Sequence, residues 1–187
     1  RTVTYRIANM VDQGFASPQR ILAVTFTTRA AGEMRDRLNH MGVGGVQALT
    51  FHAAARRQLR YFWPQVAGDL PWELVDNKFS LVARAVRSLN LDNSKDSIRD
   101  YLSEIEWAKS SLVGPDSYPE VIATTDREAP AEPAKVAEVF RRYEQLKSTP
   151  DRMFLDFDDL LMHIAGAIEN VPSVAEVFRE QYRSFVV

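Results

Sequence analysis

The sequence predicts an α/β protein: a parallel sheet with crossover helices in the first third, followed by a long run of helices. Three observations carry this expectation. Ile21-Leu22-Ala23-Val24-Thr25 and Val46-Gln47-Ala48-Leu49-Thr50 are short apolar runs rich in strand formers. Each gives way to a polar corner and then to a helical pattern, an alternation that favours parallel strands joined by crossovers. From Pro71 onward the pattern turns helical and stays so almost to the end.

The elements follow in order. Val3, Ile7, Met10 and Val11 stand at helical spacing, and Gly14 follows as a stop. Pro18 opens a short connection into the first strand, 21–25. Thr27 or Thr28 is placed to cap a helix over Arg29 to Leu38, and Gly42, Gly44 and Gly45 then break the chain. Val46 to Thr50 is the second strand. A helix follows from His52 to Phe62, with Pro64 as its expected end. Helices are expected over 79–89, 94–109, 133–147, 155–169 and 173–182. Leu112–Pro133 carries Pro115, Pro119, Pro130 and Pro133 and reads as a long loop with one short turn. Ser184-Phe185-Val186-Val187 reads as the start of a further buried strand, which suggests a partial chain.

Composition narrows the function. With 45 % apolar and 26 % charged residues among 187, the chain has the make-up of a soluble globular domain or two small ones. No apolar run approaches a membrane span, so no membrane partner is expected. There is no cysteine, which removes disulfides, thiolate zinc sites and cysteine nucleophiles and fits a cytoplasmic location. His40, His52 and His163 lack metal-ligand spacing, and no metal site is expected. The net charge of −2 is unevenly spread: residues 1–63 hold nine arginines against Asp12, Glu33 and Asp36. A phosphate-binding surface, if present, is therefore expected in the first third.

Two stretches carry the candidate chemistry. In Ile21 to Met34, an apolar strand runs into Thr25-Phe26-Thr27-Thr28-Arg29 and then a helix. Hydroxyls and the free N–H groups of a helix start suit a phosphate, and an exposed aromatic suits stacking on an unpaired base. Val46 to Ala53 repeats the grammar with Thr50-Phe51-His52. By pattern alone, each corner also reads as an ordinary capped helix with its aromatic in the core. Trp63, Trp72 and Trp107 read as packing residues more readily than as stacking platforms. Asp156, Asp158 and Asp159 could suggest a metal, but acids in a first helical turn are favoured by the helix dipole without one.

These stretches resemble the superfamily 1 DNA helicases of the UvrD/Rep/PcrA type. The first is similar to their motif Ia, TFTNKAAxEM. The second is similar to motif Ib with its TFH core, and Leu155-Asp156-Phe157-Asp158-Asp159-Leu160 to their DFDDL element. Arg1 to Val11 resembles the helix after the P-loop, including Arg6-Ile7-Ala8, and Tyr182 to Val187 resembles the strand leading to DExQD. The matches run in family order from one end of the chain to the other. In one departure, the family's Asn-Lys is here Thr28-Arg29, which keeps the charge and loses the amide.

The resemblance implies a RecA-like parallel sheet, part of a P-loop NTPase 1A domain, with an inserted all-helical 1B subdomain. It places 1A at 1–68, the insert at 69–150 and a return to 1A at 151–187. It implies DNA contacts at Phe26, Thr27, Arg29, Thr50 and His52, with Phe26 against a base and Thr50 and His52 at the sugar-phosphate backbone. The implied activity is ATP-dependent 3′→5′ unwinding or translocation on single-stranded DNA and single-strand/duplex junctions, in DNA repair, with a second motor domain of the same polypeptide. Alternatives are the helicase arm of a helicase–nuclease, or a non-catalytic DNA-binding module on the same fold. ATP and Mg2+ are implied for the whole protein. Within the chain, however, there is no G-x-x-x-x-G-K-[ST] and no DExQ. No catalytic residue is therefore expected here, only Arg1 is a candidate neighbour of nucleotide, and these 187 residues by themselves are expected neither to bind ATP tightly nor to unwind DNA.

Overall fold

The computed structural model describes residues 2–187, so the candidate nucleotide contact at Arg1 lies outside the described residues. The chain divides into two compact units, 1–68 with 160–187, and 69–159. The second division falls nine residues later than the expected return at 151. The physical cause is a strand pairing and a buried ionic cluster that bind 151–159 to the middle unit.

The first unit is built on a three-stranded parallel sheet in the order β2-β1-β5, with β1 Ile21–Thr25, β2 Gln47–Thr50 and β5 Ser184–Val186. The alternation of β1 explains its layers. Ile21 and Ala23 point to a core shared with Ile7 of α1 (Thr2–Asp12) and Leu38 of α2 (Thr28–His40). Leu22 and Val24 point the other way, to Ala54 of α3 (Phe51–Ala67), Phe178 of α9 (Pro172–Gln181) and Tyr182. Burial on both faces is why β1 reads as a continuous apolar run. On the second face, Gln58 donates to the Tyr182 hydroxyl at 2.6 Å, and that hydroxyl donates to Gln47 at 3.0 Å. This buried polar chain ties α3 and the entry to β5 to the start of β2.

Several expectations need correction. α3 does not stop at Pro64; it runs through the proline to Ala67. Proline removes one bond to the carbonyl four residues back, but Arg60 and Pro64 are both exposed, so water can satisfy that carbonyl. The end comes at Gly68, whose φ of +66° suits glycine and few other residues. The final strand is only partly buried: Val186 lies in the core, whereas Phe185 is 55 % exposed.

The middle unit is not all-helical. β3 (Trp72–Leu74) pairs in parallel with β4 (Met153–Leu155), so the helix expected from Leu155 begins instead at Phe157 as α8 (Phe157–Asn170). Three-residue strands are too short to show a period in sequence. The core comes from α4 (Lys78–Ser88), α5 (Lys95–Ser110) and α7 (Pro133–Leu146), with Val82, Val86, Ile105, Val136, Phe140 and Tyr143 buried. The proline-rich connection contains α6 (Tyr118–Ile122). Its Tyr118 hydroxyl donates to buried Glu104 at 2.7 Å, and Arg127 donates to the same carboxylate at 2.7 Å while lying over the Trp107 ring. Trp107 therefore packs within this unit. Trp63 is buried in α3, edge-on to His163, and Trp72 is a half-buried strand residue.

Asp156 and Asp159 form a reciprocal cap at the start of α8. The Asp159 amide donates to the Asp156 carboxylate at 2.9 Å, and the Asp156 amide donates to Asp159 at 2.8 Å. Both carboxylates also receive two buried ammoniums. Lys109 donates to Asp156 at 2.6 Å and to Asp159, and Lys147 donates to Asp159 at 2.6 Å. The Tyr143 hydroxyl donates to Asp156 at 2.8 Å, and Glu144 lies 3.2 Å from Lys109. Burial opposes the charge on Lys109, yet Glu144, Asp159 and Asp156 outweigh it and raise its pKa well above the ordinary value. Burial likewise favours the neutral acid of Asp156, but Lys147 and Lys109 hold it well below the carboxylate range. Asp158 faces elsewhere and pairs with Lys78 at 3.1 Å.

Candidate nucleic-acid interface

The site is made by two strand ends. β1 and β2 are adjacent and parallel, with Thr25 opposite Thr50, so both strands finish on one rim of the sheet. Such rims, at the carboxyl ends of strands, are where open α/β folds bind ligands. Beyond Thr25 the chain bends through Phe26 and enters α2; beyond Thr50 it enters α3 at once. The two helix starts therefore stand side by side.

Each helix is capped by a threonine. The Thr27 hydroxyl accepts the Ala30 amide and the Thr50 hydroxyl accepts the Ala53 amide, both at 3.1 Å. A hydroxyl that accepts in this way keeps its own proton to donate, so each cap can still serve a phosphate oxygen. The first N–H groups of both helices have no partner within their helix. Neither helix has an acid in its first turn. Arg29 and His52 instead occupy the second position of α2 and α3, where the helix dipole would favour Asp or Glu. The positive ends of both helices thus lack a carboxylate from their own first turns.

Phe26 is 84 % exposed and lies 5.3 Å, ring to ring, from Phe51 at a tilt of 49°. Single exposed apolar residues are common and mean little alone. Here, though, the ring leans on Phe51, which is half-buried and packs against the Leu22, Val24 and Tyr182 core. The result is a supported flat apolar face between two anion-seeking helix ends, a combination suited to a base and its flanking phosphates. Arg29 is held by Glu33 at 3.0 Å, in a pair with side chains 89 % and 50 % exposed. A pair so open to solvent is weak, and a phosphate can exchange for the carboxylate.

Comparison with known proteins decides the family. The model of the UvrD/REP helicase N-terminal domain matches residues 1–187. The chain belongs to the UvrD/REP helicase family. It is 53 % identical over 196 residues to the ATP-dependent DNA helicase UvrD2 of Mycobacterium tuberculosis, a match that covers all of this chain and 28 % of the relative. It is 32 % identical to the ATP-dependent DNA helicase PcrA of Leuconostoc citreum, with 97 % of this chain and 24 % of the relative covered, and 28 % identical to PcrA of Bacillus subtilis, with 98 % and 24 % covered. The chain thus spans about a quarter of the length of these relatives.

Of the five residues singled out in the sequence, Thr50 ends β2 on this rim, Phe26 follows the end of β1 and packs on Phe51, and Thr27, Arg29 and His52 lie at the helix starts that follow the two strands. The structure adds Phe51, which the motif reading passed over because its role is to support Phe26 and needs no exposure of its own. The Arg29–Glu33 pair was legible as an i, i+4 spacing. The acids at 156 and 159 belong to the middle unit, and the ammoniums of Lys109 and Lys147 take up the place between them that a cation would need. Lys109 could have been suspected from its spacing: it falls four residues after buried Ile105, on the apolar face of α5.

The caps provide a stability test. Thr50→Ala is expected to cost about 1 kcal/mol through loss of the bond to the Ala53 amide, read as a lowered thermal midpoint, and Thr50→Ser is expected to restore most of it. An unchanged midpoint for Thr50→Ala would show that the hydroxyl does not cap α3 in solution.

Proposed function

We propose that these residues belong to an ATP-dependent DNA helicase or translocase that moves 3′→5′ on single-stranded DNA, acts at single-strand/duplex junctions in DNA repair, and works in the cytoplasm. In this reading 1–68 and 160–187 are parts of a RecA-like 1A domain, and 69–159 carries the 1B insert, predominantly helical with one short pair of parallel strands. Phe26 stacks on a base of the tracked strand. Thr27, Arg29, Thr50 and His52 hold the neighbouring phosphates. The observation that carries the reading is the juxtaposition of an exposed, supported aromatic with two threonine-capped helix starts on one sheet rim.

ATP would supply the driving force, with Mg2+ on its phosphates and a second motor domain of the same polypeptide closing on it. The residues present do not fit ATP by themselves: phosphate transfer needs a lysine-bearing glycine loop and an acidic pair for the metal, and this sequence holds neither motif. What the chain's own residues do is hold the strand in register. The aromatic ring fixes one base, and the helix ends fix the phosphates on either side.

The full-length protein is expected to hydrolyse ATP in a manner stimulated by single-stranded DNA and to displace a strand from a duplex with a 3′ single-stranded tail. The 187-residue polypeptide is expected to show no turnover. Turnover by the short polypeptide, or unwinding only from 5′ tails by the full-length protein, would overturn the respective parts of this reading.

A further inference from the structure

α3 leaves the rim at Phe51 and runs for 17 residues with three arginines and no acid. Its buried positions, Ala54, Ala55, Gln58, Leu59, Phe62 and Trp63, define one face. On the opposite face His52, Arg56 and Arg60 recur every four residues, and Arg57 and Tyr61 form a second row beside them. Arg56, Arg57, Arg60 and Tyr61 are all exposed, and the Tyr61 ring is 65 % open, set edge-on to Phe62 at 4.9 Å.

The arginines are not neutralised. Among the described residues neither Arg56 nor Arg60 takes part in an ion pair or side-chain hydrogen bond. Arg57 is bonded to the neutral amide of Gln47 at 3.2 Å and keeps its charge. The acid that lines the adjoining groove with Arg57 and Tyr61 is Glu180 of α9. Like charges four residues apart on one helix repel and weaken it. A surface helix usually breaks such a row with an acid, as Glu33 does between Arg29 and Arg37 on α2. α3 does not.

We propose that the exposed face of α3 is a rail for the sugar-phosphate backbone of a single nucleic-acid strand continuing from the Phe26 corner, with Arg56 and Arg60 each neutralising one phosphate. This rests on the function proposed above and extends its site by two contacts. The row begins at His52, already on the rim, and successive members are about 6 Å apart along the axis, a step comparable with that between neighbouring phosphates of an extended strand. Phosphates relieve the repulsion that the helix carries alone. Tyr61 offers one stacking surface beside the row, so the face combines cations with an aromatic ring as strand-binding grooves do.

The test is equilibrium binding of oligothymidylates to the full-length protein over a salt series, comparing wild type, the double variant R56Q/R60Q, and Phe26→Ala. Each single-strand phosphate contact contributes about 0.7 to the slope of log K against log salt. The double variant is therefore expected to lower the slope by about 1.4 on a long oligothymidylate, and to bind a very short one, which spans only the corner, like wild type. An unchanged slope on the long strand, with Phe26→Ala still weakening binding, overturns the rail and leaves the corner intact. A slope that falls on blunt duplex and not on the single strand also overturns it. A fallen slope on the long strand together with no effect of Phe26→Ala supports the rail and removes the corner from the proposed track.

Discussion

Lys109→Met is expected to destabilise the middle unit by about 3–5 kcal/mol, the usual result of stripping one partner from a buried ionic cluster. The side chain is 3 % exposed and holds three carboxylates. Its removal leaves Asp156 and Asp159 with Lys147 alone, deep in a protein interior where an unmatched charge is costly. With urea slopes of about 1–3 kcal/mol/M for proteins of this kind, the midpoint should fall by roughly 2 M, measured by circular dichroism. Combining Lys109→Met with Asp159→Asn should recover part of the loss, since the surplus negative charge goes with it. A shift of the single variant no larger than that of an ordinary surface substitution would show that the cluster is not formed in solution.

The same cluster dictates a pH dependence. The pKa of Asp156 is lowered on folding, so its stabilisation is complete above the unfolded value near 3.8 and is lost as pH falls toward the folded one. The pKa of Lys109 is raised, so its stabilisation is complete below the unfolded value near 10.5 and fades only as pH climbs beyond it. Between these limits the cluster contributes a flat profile. In Lys109→Met the acid limb should move to higher pH, because one of the cations that keeps Asp156 ionised is gone.

Phe26→Ala in the full-length protein is expected to weaken single-strand binding by roughly 5- to 150-fold, the range set by about 1–3 kcal/mol per stacked base. Stepping should slow as well. Because the ring is 84 % exposed, the thermal midpoint should change little, which separates a lost contact from a damaged fold. Phe26→Trp should retain most of the affinity, since either ring offers a stacking face. Unchanged affinity and unchanged stepping in Phe26→Ala would remove this residue from the track.

The rim was legible in sequence for a local reason. Thr27 and Thr50 cap the helices that follow them by accepting amides three residues ahead, and β1 shows its burial in four consecutive apolar residues. Such features depend on neighbours a few positions away. That the two corners sit together follows from the direct parallel pairing of β1 and β2, in line with the tendency of consecutive strands to be neighbours in a sheet. What escaped the reading depends on distant partners. Trp72–Leu74 is a strand only because Met153–Leu155 lies beside it, some eighty residues on. Lys109 and Lys147 look like surface lysines until the acids 47 and 9 residues away close over them. Pro64 does not end α3, because tertiary packing of Leu59, Phe62 and Trp63 holds the helix on to Ala67 and outweighs the proline's local penalty.

Both β2 and β5 are outer members of a three-stranded sheet among the described residues. Each therefore turns a row of main-chain donors and acceptors outward, and β5 adds the open ring of Phe185 to its row. Edges of this sort are templates for further strand addition. A preparation of the 187-residue polypeptide by itself should accordingly be prone to concentration-dependent self-association, and any additional strand laid against β5 would both satisfy its main chain and cover that ring.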